Sequence, residues 1–427
     1  TGYPNNDVGH FCRKYIYKHY VPHAYYGDWA WEDHDPALGL KRHAFMSKEL
    51  AEVIRRTSPE ASGLLLFANV CWYQDVFQHD RITPYPIHHA MKLAYQPVLP
   101  SLELFGRNFY AGDSFTPRFY VVNDHTTGQT LENGNFEWQI EYNDQILAQG
   151  VRSLPSIRHD SKFLDSIRID FPQHLPLPKI NGQIKVKLNQ SGTTVAQNEY
   201  DIIISQREWA SLPEQLKDKR IGLFDVTGDT KALFDHLNIT YIELKDLTQI
   251  RFIQLDALVV ANLDSGDEVP YNWEDVKKMP ARGVPTLLIH PGKHLQWLFW
   301  WEVDEIYERK GRIVHMKVPE HPVFEEIAPF DLAWWQQEGR ERPRACRRSY
   351  RFKKTEGITP LCTYLRPHVY ISKPEEELPE MNGIPLAEIS LNGGKLIASE
   401  LELNSGVNDP VAAKVFVNIL AYLLQEE

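Results

Sequence analysis

The chain has little cysteine, no long apolar run and a deficit of basic charge. Its four cysteines, Cys12, Cys71, Cys346 and Cys362, form no CxxC pair and no even spacing. They read as free thiols, which excludes a disulfide framework and a cysteine zinc site. Without a run of about 18 apolar residues, no helical membrane span is expected. Lysine and arginine number 46 against 57 acidic residues, a net charge of -11. An acidic chain is a poor match for a phosphate backbone, so no nucleic-acid partner is expected. His10, His19, His23, His34 and His43 crowd the amino-terminal zone without an HExxH or H-x-H pair. His88 and His89 are adjacent and point apart on a helix, so no metal site and no cofactor are expected. The sequence opens at Thr1 with no apolar leader, which reads as a cut or processed end.

Aromatic residues, in contrast, are plentiful, with 11 Trp and 20 Tyr among 427 residues. Such rings fill β-rich cores, and they also lie under the apolar faces of sugar rings. Three zones differ in pattern. Residues 1–97 mix loops with helices. "ALGLKRHAFMSKELAEVIRR" places Leu40, Phe45, Leu50, Val53 and Ile54 near helical spacing, and Ser58-Pro59 ends it. A continuous apolar segment comes next in "ASGLLLFANVCWYQD" (61–75), then a short helix in "PIHHAMKLAYQ". Helix, buried strand, aromatic loop and helix is the pattern of a parallel β/α unit. Residues 98–207 hold seven short alternating segments separated by Asn, Asp and Gly turns, which predict an antiparallel β-sandwich. Residues 208–427 return to alternating strands and helices, a doubly wound α/β sheet. An amphipathic closing helix, "DPVAAKVFVNILAYLLQ", is capped by Asp409 with Pro410 at its first turn.

In a (β/α)8 barrel the carboxyl ends of the strands carry the active site. The apolar segment 61–75 ends in Trp72, Tyr73, Gln74 and Asp75, which suit a sugar platform and its hydroxyl partners. The alternative is simple packing by Trp72 and a turn cap by Asp75. "SGLLLFANVCWYQDVF...PYPIHHAMKLAYQPVLPSLELFGRNFYAGDSFTPRFYVVND" resembles the carboxyl-terminal edge of the glycoside hydrolase family 2 barrel running into its immunoglobulin-like domain, over roughly residues 60–205. The resemblance implies a carbohydrate substrate and retaining chemistry on β-glycosidic bonds. It also implies two glutamates after the fourth and seventh barrel strands. Retaining enzymes hold that carboxyl pair about 5 Å apart. The fourth strand has no counterpart in this chain. "TGYPNND" resembles the segment just after the family nucleophile, which would place that glutamate before Thr1. Glu32, in "WAWEDHD", is the internal competitor, but no apolar strand leads into it.

"DVTGDT" (225–230) looks like a flavodoxin phosphate loop. Asp225 and Asp229 would repel a phosphate, so a turn and helix cap is the better reading. The last zone resembles the glutamine-amidotransferase-like domains appended to some β-galactosidases, through "HPVFEEI" and "GKLIASELEL...DPVAAKVFVNILAYL". The turn where such enzymes carry a nucleophilic cysteine here reads "LLIHPGKHLQW", with His290, Pro291 and Gly292. That domain is therefore expected to be catalytically silent, leaving a structural role or homo-oligomerisation. The basic stretch 339–354 is expected to pair with acidic surface such as Glu375 to Glu377. Taken together, the sequence predicts three domains. These are the end of a (β/α)8 barrel (1–97), an immunoglobulin-like β-sandwich (98–207) and an amidotransferase-like α/β domain (208–427). The function expected is that of part of a retaining glycosidase without its catalytic carboxylate pair. The alternative is a non-catalytic carbohydrate-binding or assembly module.

Overall fold

The computed structural model describes residues 37–58, 63–64, 72–74, 80–265, 272–299, 303–307, 311, 313–337, 344–353, 356–364, 383–391 and 393–425. They fall into two units, divided between Gln206 and Arg207. The architecture is mixed, with α/β and predominantly β parts.

Helix α1 (Ala37–Thr57) opens the first unit where its periodicity predicts. Its burial is inverted relative to an ordinary amphipathic helix. Ala44, Lys48, Ala51, Glu52 and Arg56 are buried, whereas Met46, Leu50 and Val53 are 45%, 56% and 40% exposed. Positions 46, 50 and 53 share one helix face. Strands β1 (Tyr73–Gln74) and β2 (Thr83–Pro84) pair antiparallel. Helix α2 (Pro86–Ala94) starts with proline in its first turn, where the missing N–H is no loss. It packs Ile87, Ala90 and Met91 against Ala44 and Ala51 of α1.

The next ten strands are β3 (Val98–Leu102), β4 (Asn108–Tyr110), β5 (Ser114–Phe115), β6 (Arg118–Asn123), β7 (Asn135–Tyr142), β8 (Gln145–Ser153), β9 (Ser161–Ser166), β10 (Ile169–Asp170), β11 (Lys179–Gln190) and β12 (Thr193–Ser205). They make a five-stranded sheet, β4-β12-β11-β7-β8, a three-stranded sheet, β3-β6-β9, and the pair β5-β10. The alternation in β11 sends Ile180, Ile184, Val186 and Leu188 inward. These meet Phe119 and Val121 of β6 in one apolar core shared by both larger sheets. The β11–β12 hairpin turns at Ser191 and Gly192, both left-handed, which matches the twist of the strands.

A buried carboxylate ties α1 to these strands. Glu52 is fully buried and bonds Lys48 Nζ at 2.7 Å. It accepts from Ser101 Oγ at 2.5 Å, Tyr200 OH at 2.8 Å and Asn198 Nδ2 at 3.0 Å. The helices and the strands thus form one unit, because the charged face of α1 finds its partners on β3 and β12.

The second unit comprises β13 (Ile221–Asp225), α3 (Asp229–His236), β14 (Ile242–Glu243), β15 (Ala257–Ala261), α4 (Trp273–Val276), β16 (Thr286–Ile289), α5 (Lys293–Leu298), β17 (Val303–Tyr307), β18 (His315–Met316), β19 (Ser349–Phe352), β20 (Ile358–Thr363), β21 (Leu386–Leu391), β22 (Gly394–Ser399) and α6 (Pro410–Leu424). An eight-stranded sheet runs β14-β13-β15-β16-β22-β21-β20-β18. It is parallel from β14 to β22 and antiparallel from β22 to β18. β17 and β19 form a separate antiparallel pair. β15 and β16 are buried along their whole length, as strands covered on both faces are. Asp409 caps α6 by accepting the N–H groups of Val411 and Ala412. This helix is not amphipathic in its setting: it is buried on nearly every side. It packs on β16 and is also covered by the turns at Arg207–Ala210, Pro322–Phe324 and Leu403–Val407.

Candidate functional site

The segment expected to hold a sugar is described at Trp72 and Tyr73. Trp72 is half-buried against the Ala44, Ala51 and Met91 cluster. Its carbonyl accepts the Tyr85 N–H at 2.7 Å, which pins it to the start of α2. The Tyr73 ring lies 5.4 Å from the His88 ring, centroid to centroid. Tyr73 pairs with Pro84 and Gln74 with Thr83, a local antiparallel contact. The Gln74 side chain, Asp75 and Glu32 lie outside the described residues, as do Cys12, Cys71, His10, His19, His23 and His34.

The second unit gathers its polar side chains where β13, β15, β16 and β22 end together. Asn262 and His290 come directly after β15 and β16 and both are left-handed, with φ 60° and 50°. Asn tolerates that region well, His less often. Asn262 Nδ2 donates to Asp225 Oδ1 at 2.8 Å and to Thr230 Oγ1 at 3.1 Å. Its Oδ1 lies 3.1 Å from both His290 Nδ1 and Asn404 Nδ2. His290 Nε2 lies 2.8 Å from the Leu401 carbonyl. Burial, and then the charge of Arg347, hold the His290 pKa well below the ordinary value. Asp225 Oδ2 accepts the Lys231 N–H at 2.9 Å. The amino end of α3 is therefore served by the protein's own carboxylate, where a phosphate would need free N–H groups.

The turn from β16 into α5 has no nucleophile. Gly292 begins α5 at φ 56°, ψ -134°, and its N–H donates to Glu400 Oε1 at 2.7 Å. A Cβ there would stand 2.9 Å from Asp264 Cβ and 3.4 Å from Arg348 Nη1. A cysteine does not fit. Gly292→Ala is expected to destabilise the second unit by about 1–3 kcal/mol, through left-handed strain and this contact. Chemical denaturation checks it, and an unchanged midpoint would rule out the strain.

Around this turn lies a buried cluster of acids and arginines that sequence reasoning missed. Glu400 is fully buried, and its Oε1 also accepts the Tyr350 OH. Its Oε2 has no hydrogen-bond partner; the Arg348 Nη1 is 3.9 Å away. Arg348 is bonded instead to Asp264 at 2.6 Å. Arg344 and Arg347 bind Glu402, the latter at 3.2 Å. Burial pushes the Glu400 carboxyl up to about 7, against the pull of Tyr350, Arg348 and the Gly292 N–H. Cys346 is buried beside the cluster, and burial raises its thiol, so it stays protonated and unreactive. Arg344, Arg347, Arg348 and Arg351 of the basic stretch are thus paired, but with Asp264, Glu402 and, through Arg351, Asp304 at 2.5 Å. Glu375 to Glu377 lie outside the described residues. The signal in the sequence was the basic run alone, because its acidic partners lie 47 to 84 positions away in the chain. The cluster can titrate a proton near neutrality. Among the described residues it brings together no nucleophile and base, and no three metal-ligating side chains occur as a group.

No family model matches this chain, and no curated protein matches it. One similar solved structure is Spo0M, a sporulation control protein from Bacillus subtilis, at 13% identity. The match covers 26% of this chain and 50% of that one, with a TM-score of 0.19, and carries no argument about fold or function. Among the described residues no helix is long and apolar enough to cross a membrane.

Proposed function

We propose that this chain is the carboxyl-terminal part of a retaining glycoside hydrolase acting on β-glycosidic bonds. In this reading α1 and α2 are helices at the last edge of a (β/α)8 barrel, and the antiparallel pair β1-β2 belongs to the loop before α2. The strands 98–205 are an immunoglobulin-like sandwich, and the second unit is an amidotransferase-like domain without its chemistry. Trp72 and Tyr73 contribute to the wall of the sugar site, with Gln74 and Asp75 beside them. In this reading the chain by itself lacks the complete catalytic carboxylate pair.

One observation supports a further packing partner for α1 above others. Helix α1 turns its charged residues inward and presents Met46, Leu50 and Val53 to solvent. An apolar stripe at i, i+4 and i+7 on an outer face is the kind of surface that another element covers, as a barrel helix is covered by the next. The sugar chemistry itself rests on the resemblance of residues 60–205 to the glycosidase family.

Turnover of nitrophenyl β-glycosides tests the reading. The 427-residue polypeptide is expected to be inactive, and a polypeptide extended at its amino end by its own gene is expected to be active. In the extended enzyme Trp72→Ala is expected to lower kcat/KM about tenfold or more, as the loss of one aromatic platform does. Hydrolysis by the 427-residue polypeptide that disappears in Glu32→Gln would place the nucleophile inside this chain and overturn the proposal.

A further inference from the structure

The first unit holds a cleft of about 670 Å³ that Trp72 and Tyr73 do not line. It lies where the carboxyl ends of α1 and α2 meet β6 and the start of β9. Its volume falls within the range of small-molecule sites, about 300–1,000 Å³. We propose that this cleft binds a neutral sugar, of disaccharide size, and that Tyr95 is its aromatic wall.

Three features lead there. The first is a rigid floor. Arg55 Nη1 donates to the carbonyls of Ala94 at 2.8 Å and Gln96 at 2.7 Å, and its Nη2 to Asp124 Oδ2 at 2.7 Å. One guanidinium thereby ties both helix ends to the strand layer, so the cleft is preorganised. The second is charge balance. The cleft carries two cations and two carboxylates. Arg55 is matched by Asp124, and Lys162 donates to the Arg56 carbonyl at 2.6 Å. No excess of either sign remains to select a phosphate or an ammonium. The third is the mixture of wall groups. Tyr95 is 37% exposed, and Asp124, His159 and Asp160 are exposed hydrogen-bonding groups around it. An apolar ring edged by carboxylates and an imidazole suits a ligand with C–H faces and hydroxyl rims.

The test uses the 427-residue polypeptide with lactose, cellobiose and mannobiose, by titration calorimetry and saturation-transfer NMR. At least one disaccharide is expected to bind with Kd of about 1 mM or tighter. Tyr95→Ala is expected to weaken it about tenfold. Asp160→Asn is the second variant. Asp160 is exposed with φ 53°, a conformation Asn accepts, so the fold is retained while a carboxylate acceptor is lost. A weaker Kd in either variant, with an unchanged melting temperature, supports the cleft. Failure of all three disaccharides to bind, or binding that neither substitution moves, overturns it. Binding abolished by Trp72→Ala alone also overturns it and assigns the sugar to the glycosidase wall. The outcomes are separable from those of the glycosidase proposal: the cleft stands if sugar binds but no extended polypeptide hydrolyses a glycoside.

Discussion

Glu52→Ala is expected to destabilise the first unit by about 3–5 kcal/mol, the range for removing one partner of a buried ion pair. The substitution strands the Lys48 ammonium and the Arg56 guanidinium, which lies 3.6 Å from Glu52 Oε2, in a buried setting. It also leaves Ser101, Asn198 and Tyr200 without the acceptor they share. The same carboxylate gives a pH signature. Burial pushes its pKa up, but the charge and hydrogen bond of Lys48, with Ser101 and Asn198, outweigh this and lower it from 4.5 to about 2. A depressed carboxyl pKa contributes stability that is present above 4.5 and lost as pH falls towards 2. The span corresponds to about 3 kcal/mol. Calorimetry that resolves the two units as a function of pH checks both statements. A Glu52→Ala shift below about 1 kcal/mol would show that this network does not hold α1 to the strands.

The second unit is expected to respond to pH with the opposite sign. The Glu400 pKa stands at about 7 in the folded protein against an ordinary 4.5. A raised carboxyl pKa means the contribution is fully present below 4.5 and is lost as pH rises through 7. The loss is about 3 kcal/mol, which lowers the melting temperature of a unit this size by about 6–12 °C between pH 4.5 and 8. In Glu400→Gln the amide oxygen still accepts from Gly292 and Tyr350, and no proton can leave. The variant carries a constant penalty from its amide group beside Arg348 but is expected to lose this part of the pH slope. An identical slope in wild type and variant would assign the titration to another group.

Much of the local structure was legible in the sequence. Alternating strand segments within 98–207, the helix period in 37–56 and the Asp409-Pro410 start of the last helix each appear where read. These are signals carried by residues a few positions apart. The environment of each element was less legible. Leu50 and Val53 fall on the periodic positions of α1, yet both are exposed while Lys48, Glu52 and Arg56 are buried. The reason is that Glu52 is matched by Ser101, Asn198 and Tyr200, which lie 49 to 148 positions away in the chain. A charge can be buried only when such partners converge, and spacing along one helix cannot report them.

The candidate sites divide in the same way. Trp72 and Tyr73 could be singled out because a local change from apolar to aromatic residues marks them. Glu400, Asp264 and Tyr350 could not, because no local pattern sets them apart and their meeting depends on how strands β15, β16, β19 and β22 are ordered. Composition and periodicity were enough to define an acidic chain with both α/β and β parts. Which carboxylates are buried, which arginines they hold and where a cleft opens were decided by long-range packing. Desolvation and charge pairing depend on distance in space, and the order of residues does not contain that distance.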